Sequence, residues 1–232
     1  MKFNPSENQE HFNLIFVKVG TTFALRTDDE IIENLKHLPN NTDFNFVDKK
    51  LNTILYIAAS NNKPKLIKYL IEERNVDPNK TVVENLTAFH IAAIKGDIAA
   101  MEALASNNRT KFSEKDQFGE TPLFKAIGKT PIELLDAVTN FIISKAPESV
   151  SITNEDGILP IGIALMRCAS TVIKKLLDAG SDVNKEISQR AASMLMEQSS
   201  PKAGNVHTFF RQTPKDEALY ESTKLIIKAY NE

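Results

Sequence analysis

Cysteine, glycine and proline are scarce in this sequence, and each shortage excludes a class of protein. The single cysteine among 232 residues excludes an internal disulfide framework and a cysteine-rich zinc module. Eight glycines and ten prolines are too few for a fibrous or low-complexity chain. No run of about eighteen apolar residues occurs, and the polar residues 1–11 contain no apolar signal core. We therefore expect a cytoplasmic protein that is not inserted in a membrane.

A large net charge is missing as well. Lys and Arg total 28 and Asp and Glu total 30, which gives a formal charge of -2. Since nucleic-acid-binding proteins are usually basic, we expect no nucleic-acid partner. The sequence does have length and apolar content, because 232 residues with 42% hydrophobic side chains suffice for one sizeable domain or two small ones.

The chain repeats itself. Three threonines, Thr53, Thr87 and Thr121, lie 34 residues apart, and each precedes apolar and small residues. A fourth segment of this kind begins at Asn154, 38 residues after the corresponding Asp116, so about one helical turn is inserted within Thr130–Ser144. Such a period is typical of stacked units that bury their apolar faces only against their neighbours.

Local motifs distinguish the two repeat families that share this period, tetratricopeptide and ankyrin arrays. The third unit has an Asx-x-x-Gly turn at Asp116–Gly119 followed by Thr-Pro-Leu, and the fourth unit ends in Leu-Leu-x-x-Gly-x-Asp-Val-Asn at residues 176–184. Together these motifs resemble the ankyrin repeat, over roughly residues 20–185. The resemblance implies an all-α ankyrin-repeat solenoid of about five units, each a hairpin finger followed by two antiparallel helices.

The resemblance also predicts the domain boundaries. Residues 1–45 hold an N-terminal helix and a degenerate capping repeat, whose helix opens at the capping box Thr27–Glu30. The pattern of Ser6–Gly20 suits a helix or a strand, and we favour a helix. Four repeats follow at 46–80, 81–113, 114–151 and 152–185, and 186–232 forms a divergent C-terminal cap whose loop 199–212 is mobile or functional.

Some positions depart from the family pattern. Leu51 and Asn85 stand where the family favours glycine in the finger. Asn85 can adopt a positive φ, but Leu51 cannot do so cheaply, so we expect the first finger to be reshaped. Cys168 stands where a glycine usually ends the first helix.

Candidate catalytic or metal-binding side chains are few. His90 occupies the histidine position of the resembled repeat, where it bonds backbone, and no second ligand follows at metal spacing. Cys168 has no histidine in its unit to activate it. We therefore expect no enzyme activity, no cofactor and no metal.

The resemblance implies that a partner binds at the finger tips and at the exposed sides of the first helices. An apolar stripe with a charged rim, in which Phe118 is the best anchor, is formed by Val83, Leu86, Ile94, Phe118 and Met166. The alternative is that these apolar side chains pack against neighbouring fingers. The implied partner-binding residues are Lys49, Lys50, Val83, Glu84, Leu86, Ile94, Lys95, Gln117, Phe118, Glu120, Lys129, Glu155, Asp156, Ile158, Met166 and Arg167.

The resulting functional hypothesis is a non-enzymatic protein–protein interaction module, monomeric alone, that binds one or more proteins in its groove. Low glycine and frequent Asn, Lys and Ile are similar to ankyrin proteins of intracellular bacteria, which implies an effector delivered into a host cytosol. Two alternatives stay open. One is an inhibitor or regulator of an enzyme, as some ankyrin-like proteins inhibit kinases, and the other is a catalytic protein that uses Cys168.

Overall fold

The computed structural model describes residues 16–19, 22–25, 27–39, 42–45, 47–48 and 51–181. The chain divides into two compact units, an N-terminal unit that ends at Gln117 and a C-terminal unit that begins at Phe118. The predicted C-terminal cap at 186–232, with its loop 199–212, lies outside the described residues.

The N-terminal unit opens with an antiparallel hairpin. Strand β1 (Phe16–Val19) pairs with β2 (Thr22–Leu25), and Phe16 lies opposite Leu25. The helix that we favoured for Ser6–Gly20 is therefore wrong at Phe16–Val19, and the residues before Phe16 lie outside the described part. A strand suits this segment because a lysine lies between two valines, which is the apolar–polar alternation of a strand. A second short segment of β-prone residues follows and pairs with it.

Helix α1 (Asp28–Lys36) begins at the predicted capping box. The Thr27 hydroxyl accepts a hydrogen bond from the Glu30 N–H at 3.3 Å, and the Glu30 carboxylate accepts one from the Thr27 N–H at 2.8 Å. Two helix pairs follow in this unit, α2 (Ile54–Ser60) with α3 (Pro64–Glu72) and α4 (Ala88–Lys95) with α5 (Ile98–Ala105). Because α1 packs on α3, it occupies the place of a second helix.

Helices that hold the same place in neighbouring repeats pack on each other. In the N-terminal unit α2 packs on α4 and α3 packs on α5. The C-terminal unit contains α6 (Pro122–Lys129), α7 (Ile132–Lys145), α8 (Pro160–Met166) and α9 (Ser170–Asp178), with a 3₁₀ helix at Pro147–Ser151. There α6 packs on α8, and α7 packs on α9. This arrangement of stacked helix pairs confirms the all-α ankyrin-repeat fold.

The inserted turn lies in α7. That helix has 14 residues, whereas α3 and α9 have 9 each and α5 has 8. Its extra length falls within the predicted Thr130–Ser144 segment, apart from the final Lys145. None of the helices in the described ranges is long and apolar enough to cross a membrane.

The predicted threonine caps are present. The hydroxyls of Thr53, Thr87 and Thr121 accept hydrogen bonds from backbone N–H groups three residues on, at 3.1, 3.3 and 3.3 Å. Pro122 occupies the first turn of α6, where a missing N–H costs nothing. The small and bulky core residues that the repeat pattern predicts are fully buried: Ala58, Ala59, Ala92, Ala93, Ala126, Leu66, Ile67, Leu70 and Ile71.

Each described finger carries a left-handed residue at its fourth position. The φ angles are 64° at Leu51, 58° at Asn85, 73° at Gly119 and 77° at Gly157. The expectation that Leu51 would reshape the first finger is therefore wrong. The Asp48 carboxylate holds that turn closed, since it accepts a hydrogen bond from the Asn52 N–H at 2.8 Å.

The reshaped finger is the second one. Its first position is Val82, which has no side-chain oxygen for the turn, whereas the other fingers have Asp48, Asp116 or Asn154 there. Glu84 as well as Asn85 takes a positive φ, 64° for Glu84, and residues 83–85 form a 3₁₀ turn. This finger thus lacks the side-chain acceptor of an Asx turn and has a second residue with a positive φ instead.

Asparagines connect neighbouring repeats of the N-terminal unit. Asn45 accepts a hydrogen bond from the Asp77 N–H at 2.7 Å, and Asn79, 34 residues later, accepts one from the Lys111 N–H at 2.8 Å. Asn79 also donates to the carbonyl oxygen of Arg109 at 2.7 Å. The repeated Asp-x-Asn motif thus connects neighbouring repeats.

Candidate partner-binding surface

Main-chain hydrogen bonds connect neighbouring fingers. In the N-terminal unit the N–H of Gln117 donates to the carbonyl oxygen of Glu84 at 2.9 Å. In the C-terminal unit the N–H of Glu155 donates to the carbonyl oxygen of Phe118 at 3.0 Å. In both cases the second residue of one finger bonds the third residue of the finger before it. These finger tips are therefore held by their backbone groups, and the two bonds do not involve their side chains.

In the N-terminal unit the predicted contact residues differ in exposure. Val83 is 52% exposed and Glu84 and Gln117 are exposed, whereas Leu86 and Ile94 are half-buried. Lys95 is exposed and its ammonium donates to the carbonyl oxygen of Ser60 at 2.5 Å. Lys49 and Lys50 lie outside the described residues.

A shallow cavity of about 410 Å³ lies beside Lys95 in the same unit. It is formed where the turns after α2 and α4 approach each other, and sequence reasoning did not anticipate it. Its lining residues are Ser60, Asn61, Asn62, Lys95, Gly96, Asp97 and Ile98.

In the C-terminal unit two large apolar side chains on the predicted surface are exposed. Phe118 is 47% exposed and Met166 is 45% exposed, whereas Ile158 is half-buried. Three charged residues of the predicted set are exposed as well, and they are Lys129, Glu155 and Asp156.

Phe118 rests on a buried ion pair. The Lys125 ammonium lies 5.0 Å from the centre of the Phe118 ring and 2.6 Å from the Glu120 carboxylate. The Lys125 side chain is only 4% exposed. The ring is thus supported on one side by a cation that Glu120 neutralises.

Sequence reasoning missed Lys125, although a signal was present. Four residues after the capping position the other units have isoleucine, at Ile57, Ile91 and Ile163. A lysine at this position, which is buried or half-buried in each of those units, predicts an acidic partner nearby, because buried charges are almost always paired.

Arg167 has a structural role that the partner-binding prediction did not include. Its guanidinium donates to the carbonyl oxygens of Ile127 and Thr130, at 2.6 and 2.9 Å, at the end of α6. Arg74 does the same at the end of α1, where it donates to Leu35 at 3.2 Å. These arginines satisfy carbonyl groups that a helix end leaves without partners.

His90 and Cys168 occupy structural positions. His90 is fully buried, and its Nδ1 lies 2.9 Å from the Thr87 hydroxyl and 3.2 Å from the Thr87 backbone nitrogen. Cys168 has a φ of 54° and ends α8 as Gly96, with a φ of 71°, ends α4. Among the described residues, no group of three or more His, Cys, Asp or Glu side chains could hold a metal ion.

The carboxylates of Asp28, which is half-buried, and of Asp29, which is exposed, also have structural partners. Asp28 accepts a hydrogen bond from the Lys65 N–H at 2.9 Å and so caps α3 from the neighbouring helix. Asp29 pairs with the Lys65 ammonium at 3.0 Å, and this hydrogen bond raises the pKa of Lys65 above 10.5. Both carboxylates thus connect α1 to α3.

Comparison with known proteins gives the family. The family model for ankyrin repeats, in three copies, matches residues 23–116. The chain is 28% identical over 165 residues to NAD-dependent deacetylase sir2B of Dictyostelium discoideum, which covers 67% of this chain and 20% of that protein. It is 32% identical over 101 residues to alpha-latrotoxin-Lt1a of Latrodectus tredecimguttatus, covering 43% of this chain and 7% of the toxin.

A third relative is the nuclear factor NF-kappa-B p105 subunit of Mus musculus, 24% identical over 142 residues, with 60% of this chain and 14% of that protein covered. The chain spans a fifth or less of the length of these three relatives, so the activities of the whole proteins do not carry over. The family match and the stacked helix pairs agree. This chain contains ankyrin repeats, and repeats of this family imply a protein–protein interaction module.

Proposed function

We propose that this chain is a non-enzymatic module that binds a partner protein through its finger tips and the exposed sides of its first helices. The observation that carries the proposal is Phe118. Its ring is 47% exposed, although its backbone is bonded to the next finger and its other side rests on Lys125. A large aromatic side chain held in place at the surface is typical of a binding anchor.

Rigidity supports the same proposal. A partner that binds a surface already fixed by main-chain bonds orders few additional groups, so less of the contact energy is lost to entropy. In the C-terminal unit Met166 is about half exposed and adds apolar contact area at another predicted position. In the N-terminal unit Val83 is about half exposed at a predicted position of its own finger. We propose these residues as binding residues, each within its own unit.

The composition supports a finer proposal. Low glycine and frequent Asn, Lys and Ile are similar to ankyrin proteins of intracellular bacteria, and we propose an effector that acts on a protein in the cytosol of a host cell. The second candidate function is inhibition of an enzyme by the same surface. The identity of a captured partner distinguishes the two.

Affinity capture with matched variants tests the binding proposal. Phe118→Ala removes the anchor, and Ile132→Ala removes an apolar side chain of similar exposure, 50%, from a second helix. We expect a protein that wild type and Ile132→Ala both capture and that Phe118→Ala loses, with circular dichroism unchanged for both variants. Equal recovery by all three proteins contradicts the proposed surface.

The catalytic alternative has its own test. The described part of the C-terminal unit contains no histidine near Cys168, and the thiol belongs to a helix-terminating turn. We expect Cys168 to react slowly with a thiol reagent at neutral pH, as an ordinary thiol does. A fast reaction, with a midpoint well below the usual thiol pKa, would support a nucleophilic role.

A further inference from the structure

The turns that follow α2 and α4 form a groove with a mixed polar lining. Here the term turn groove refers to the cavity of about 410 Å³ between these two turns of the N-terminal unit. Its volume lies within the usual range of ligand sites, about 300–1,000 Å³. The ammonium of Lys95, the last residue of α4, donates to the carbonyl oxygen of Ser60, the last residue of α2, at 2.5 Å. One of the predicted partner-binding residues therefore bridges the two turns.

The main chain holds both turns closed. In the first turn the Lys63 N–H donates to the carbonyl oxygen of Ala58 at 3.1 Å, and in the second turn the Asp97 N–H donates to that of Ala92 at 3.0 Å. The two bonds join corresponding positions of neighbouring repeats. Because they fix the backbone before a ligand arrives, a ligand of the turn groove would order few additional groups.

The lining offers both kinds of hydrogen-bonding group. An ammonium has three N–H donors, and Lys95 uses one of them on Ser60. The Asp97 carboxylate has about four acceptor positions, and it uses one of them as the cap of α5, where it accepts from the Ala100 N–H at 3.0 Å. Lys95 and Asp97 both line the groove. The turn groove can therefore donate a hydrogen bond to one atom of a ligand and accept a hydrogen bond from another.

The two opposite charges favour an uncharged polar group as the ligand. Among the described lining residues, Lys95 is the cation and Asp97 is the anion. A carboxylate would meet the like charge of Asp97, and an ammonium would meet the like charge of Lys95. A carboxamide avoids both penalties, since its oxygen can accept from Lys95 and its NH₂ can donate to Asp97. The half-buried Ile98, which also lines the groove, offers an apolar surface to the aliphatic stem.

We propose that the turn groove binds the carboxamide side chain of an asparagine or glutamine in a segment of the partner protein. The carboxamide oxygen accepts from the Lys95 ammonium, and the carboxamide NH₂ donates to the Asp97 carboxylate. This inference rests on the proposed protein-binding function and adds one chemical feature of the partner.

The test uses the full chain and defined peptides. A random peptide library is selected on the immobilised wild-type protein, and the enriched peptides are synthesised with a fluorophore. Their affinities are measured by fluorescence polarisation for wild type, Lys95→Met, Asp97→Asn, Phe118→Ala and the control Lys68→Met, which removes an exposed lysine of α3. Asp97→Asn keeps an oxygen that can cap α5 and leaves the bond between Lys95 and Ser60 in place, so it tests the groove without disturbing the turns. Circular dichroism checks the folding of each variant.

We expect enriched peptides that share an asparagine or glutamine. Lys95→Met and Asp97→Asn should each bind them about five- to tenfold more weakly, whereas Lys68→Met stays within about twofold. Replacing the shared amide of a peptide by the corresponding acid should weaken its binding to wild type by about tenfold. Asp97→Asn should instead prefer the acid peptide to the amide peptide, because the like charge is gone. A purely structural role of Asp97 would not reverse this preference.

Four results would overturn the inference. Enriched peptides that lose affinity in Lys95→Met but share no carboxamide refute the partner chemistry and leave the proposed function intact. Peptides that lose affinity in Phe118→Ala alone refute the groove as a site and support the proposed function. Peptides that bind all five proteins equally contradict both. A selection that enriches no peptide refutes the inference, whereas the proposed function then depends on the protein-capture experiment alone.

Discussion

At the residue scale, the fourth residue of each described finger adopts the same left-handed backbone conformation, although its side chain differs from finger to finger. Leu51, Asn85, Gly119 and Gly157 all have φ between 58° and 77°. Glycine adopts this region freely and asparagine tolerates it, but leucine pays a steric penalty of about 1–2 kcal/mol. Leu51 is also 56% exposed, so its side chain recovers little of that penalty by burial.

We therefore predict that Leu51→Gly stabilises the protein. Relief of the steric penalty exceeds the added unfolded-state entropy of glycine, about 0.5–1 kcal/mol, which leaves a net gain of up to about 1 kcal/mol. The midpoint of urea unfolding should rise with an unchanged slope.

Gly119→Ala is the matched control at the corresponding position of the third finger. Its β-carbon would meet the Glu155 backbone at 2.9 Å in a left-handed conformation, so we expect a loss of at least about 1–2 kcal/mol. If both substitutions shifted the midpoint in the same direction, the backbone argument would be wrong.

A second residue-scale prediction concerns the ion pair beneath Phe118. Glu120→Gln removes the carboxylate 2.6 Å from a Lys125 ammonium that is almost fully buried, so the folded state must hold a charge without that neutralising group. We expect the free energy of unfolding to fall by about 2 kcal/mol, below the usual range for a buried pair because Glu120 is partly exposed.

Adding Lys125→Met to that variant should restore most of the stability, since the charge is then removed as well. Asp178→Asn provides the control, because its pair with Lys174 is exposed on both sides and should contribute less than about 0.5 kcal/mol. Equal effects of Glu120→Gln and Asp178→Asn in urea unfolding would contradict a buried pair.

At the element scale, the two carboxylates at the start of α1 connect that helix to α3. The hydrogen bond that the Lys65 ammonium donates to Asp29 raises the pKa of Lys65, with smaller contributions from the charges of Asp29 and Asp28. Because the pKa is higher in the folded state, the pair stabilises the protein fully below pH 10.5 and loses that effect as the pH rises through the folded-state pKa.

We predict that Asp29→Asn lowers the pKa of Lys65 toward its ordinary value. Titration of the lysine side chain by NMR, from pH 9 to about 12, checks this. The variant Asp178→Asn, at the other end of the described chain, should leave Lys65 unchanged. A Lys65 titration that does not respond to Asp29→Asn would exclude the contact between α1 and α3 in solution.

The elements also show what the sequence can predict. The starts of the threonine-capped helices were predictable because a threonine before an apolar helical pattern typically caps the helix with its side-chain oxygen. The greater length of α7 was predictable from the four additional residues between the third and fourth units. The strand at Phe16–Val19 was not predictable, because a short apolar run fits both periodicities until its pairing partner is known.

The candidate surface was predictable only in part. Motif positions identified Phe118, Glu155 and Asp156 as tip residues, since the finger is defined by its turn. The pairing of Lys125 with Glu120 and the use of Arg167 on carbonyl oxygens depend on which side chains the fold brings together. The lysine at a buried repeat position indicates that an acidic partner is present but does not identify it. The contacts of Arg167 with residues 37 and 40 positions away leave no local signature.

At the scale of the whole molecule, stability within each unit is distributed over helices that depend on their neighbours. In the N-terminal unit α3 packs against both α1 and α5, whereas α1 packs mainly on α3. We predict that native-state hydrogen exchange of the slowest amides is at least about tenfold slower in α3 than in α1. Uniform exchange across both helices would instead indicate that this unit opens in one cooperative step.

The two main-chain bonds between fingers join the N–H of one residue to the carbonyl oxygen of another. Since every residue except proline supplies both groups, substitutions at positions such as Val83, Glu155 and Asp156 leave these bonds in place. Recognition and folding are therefore encoded in separate chemical groups of the same residues. A library that randomises these tip side chains should retain folded members at high frequency, which makes this chain a scaffold whose specificity can be reassigned without redesign of its core.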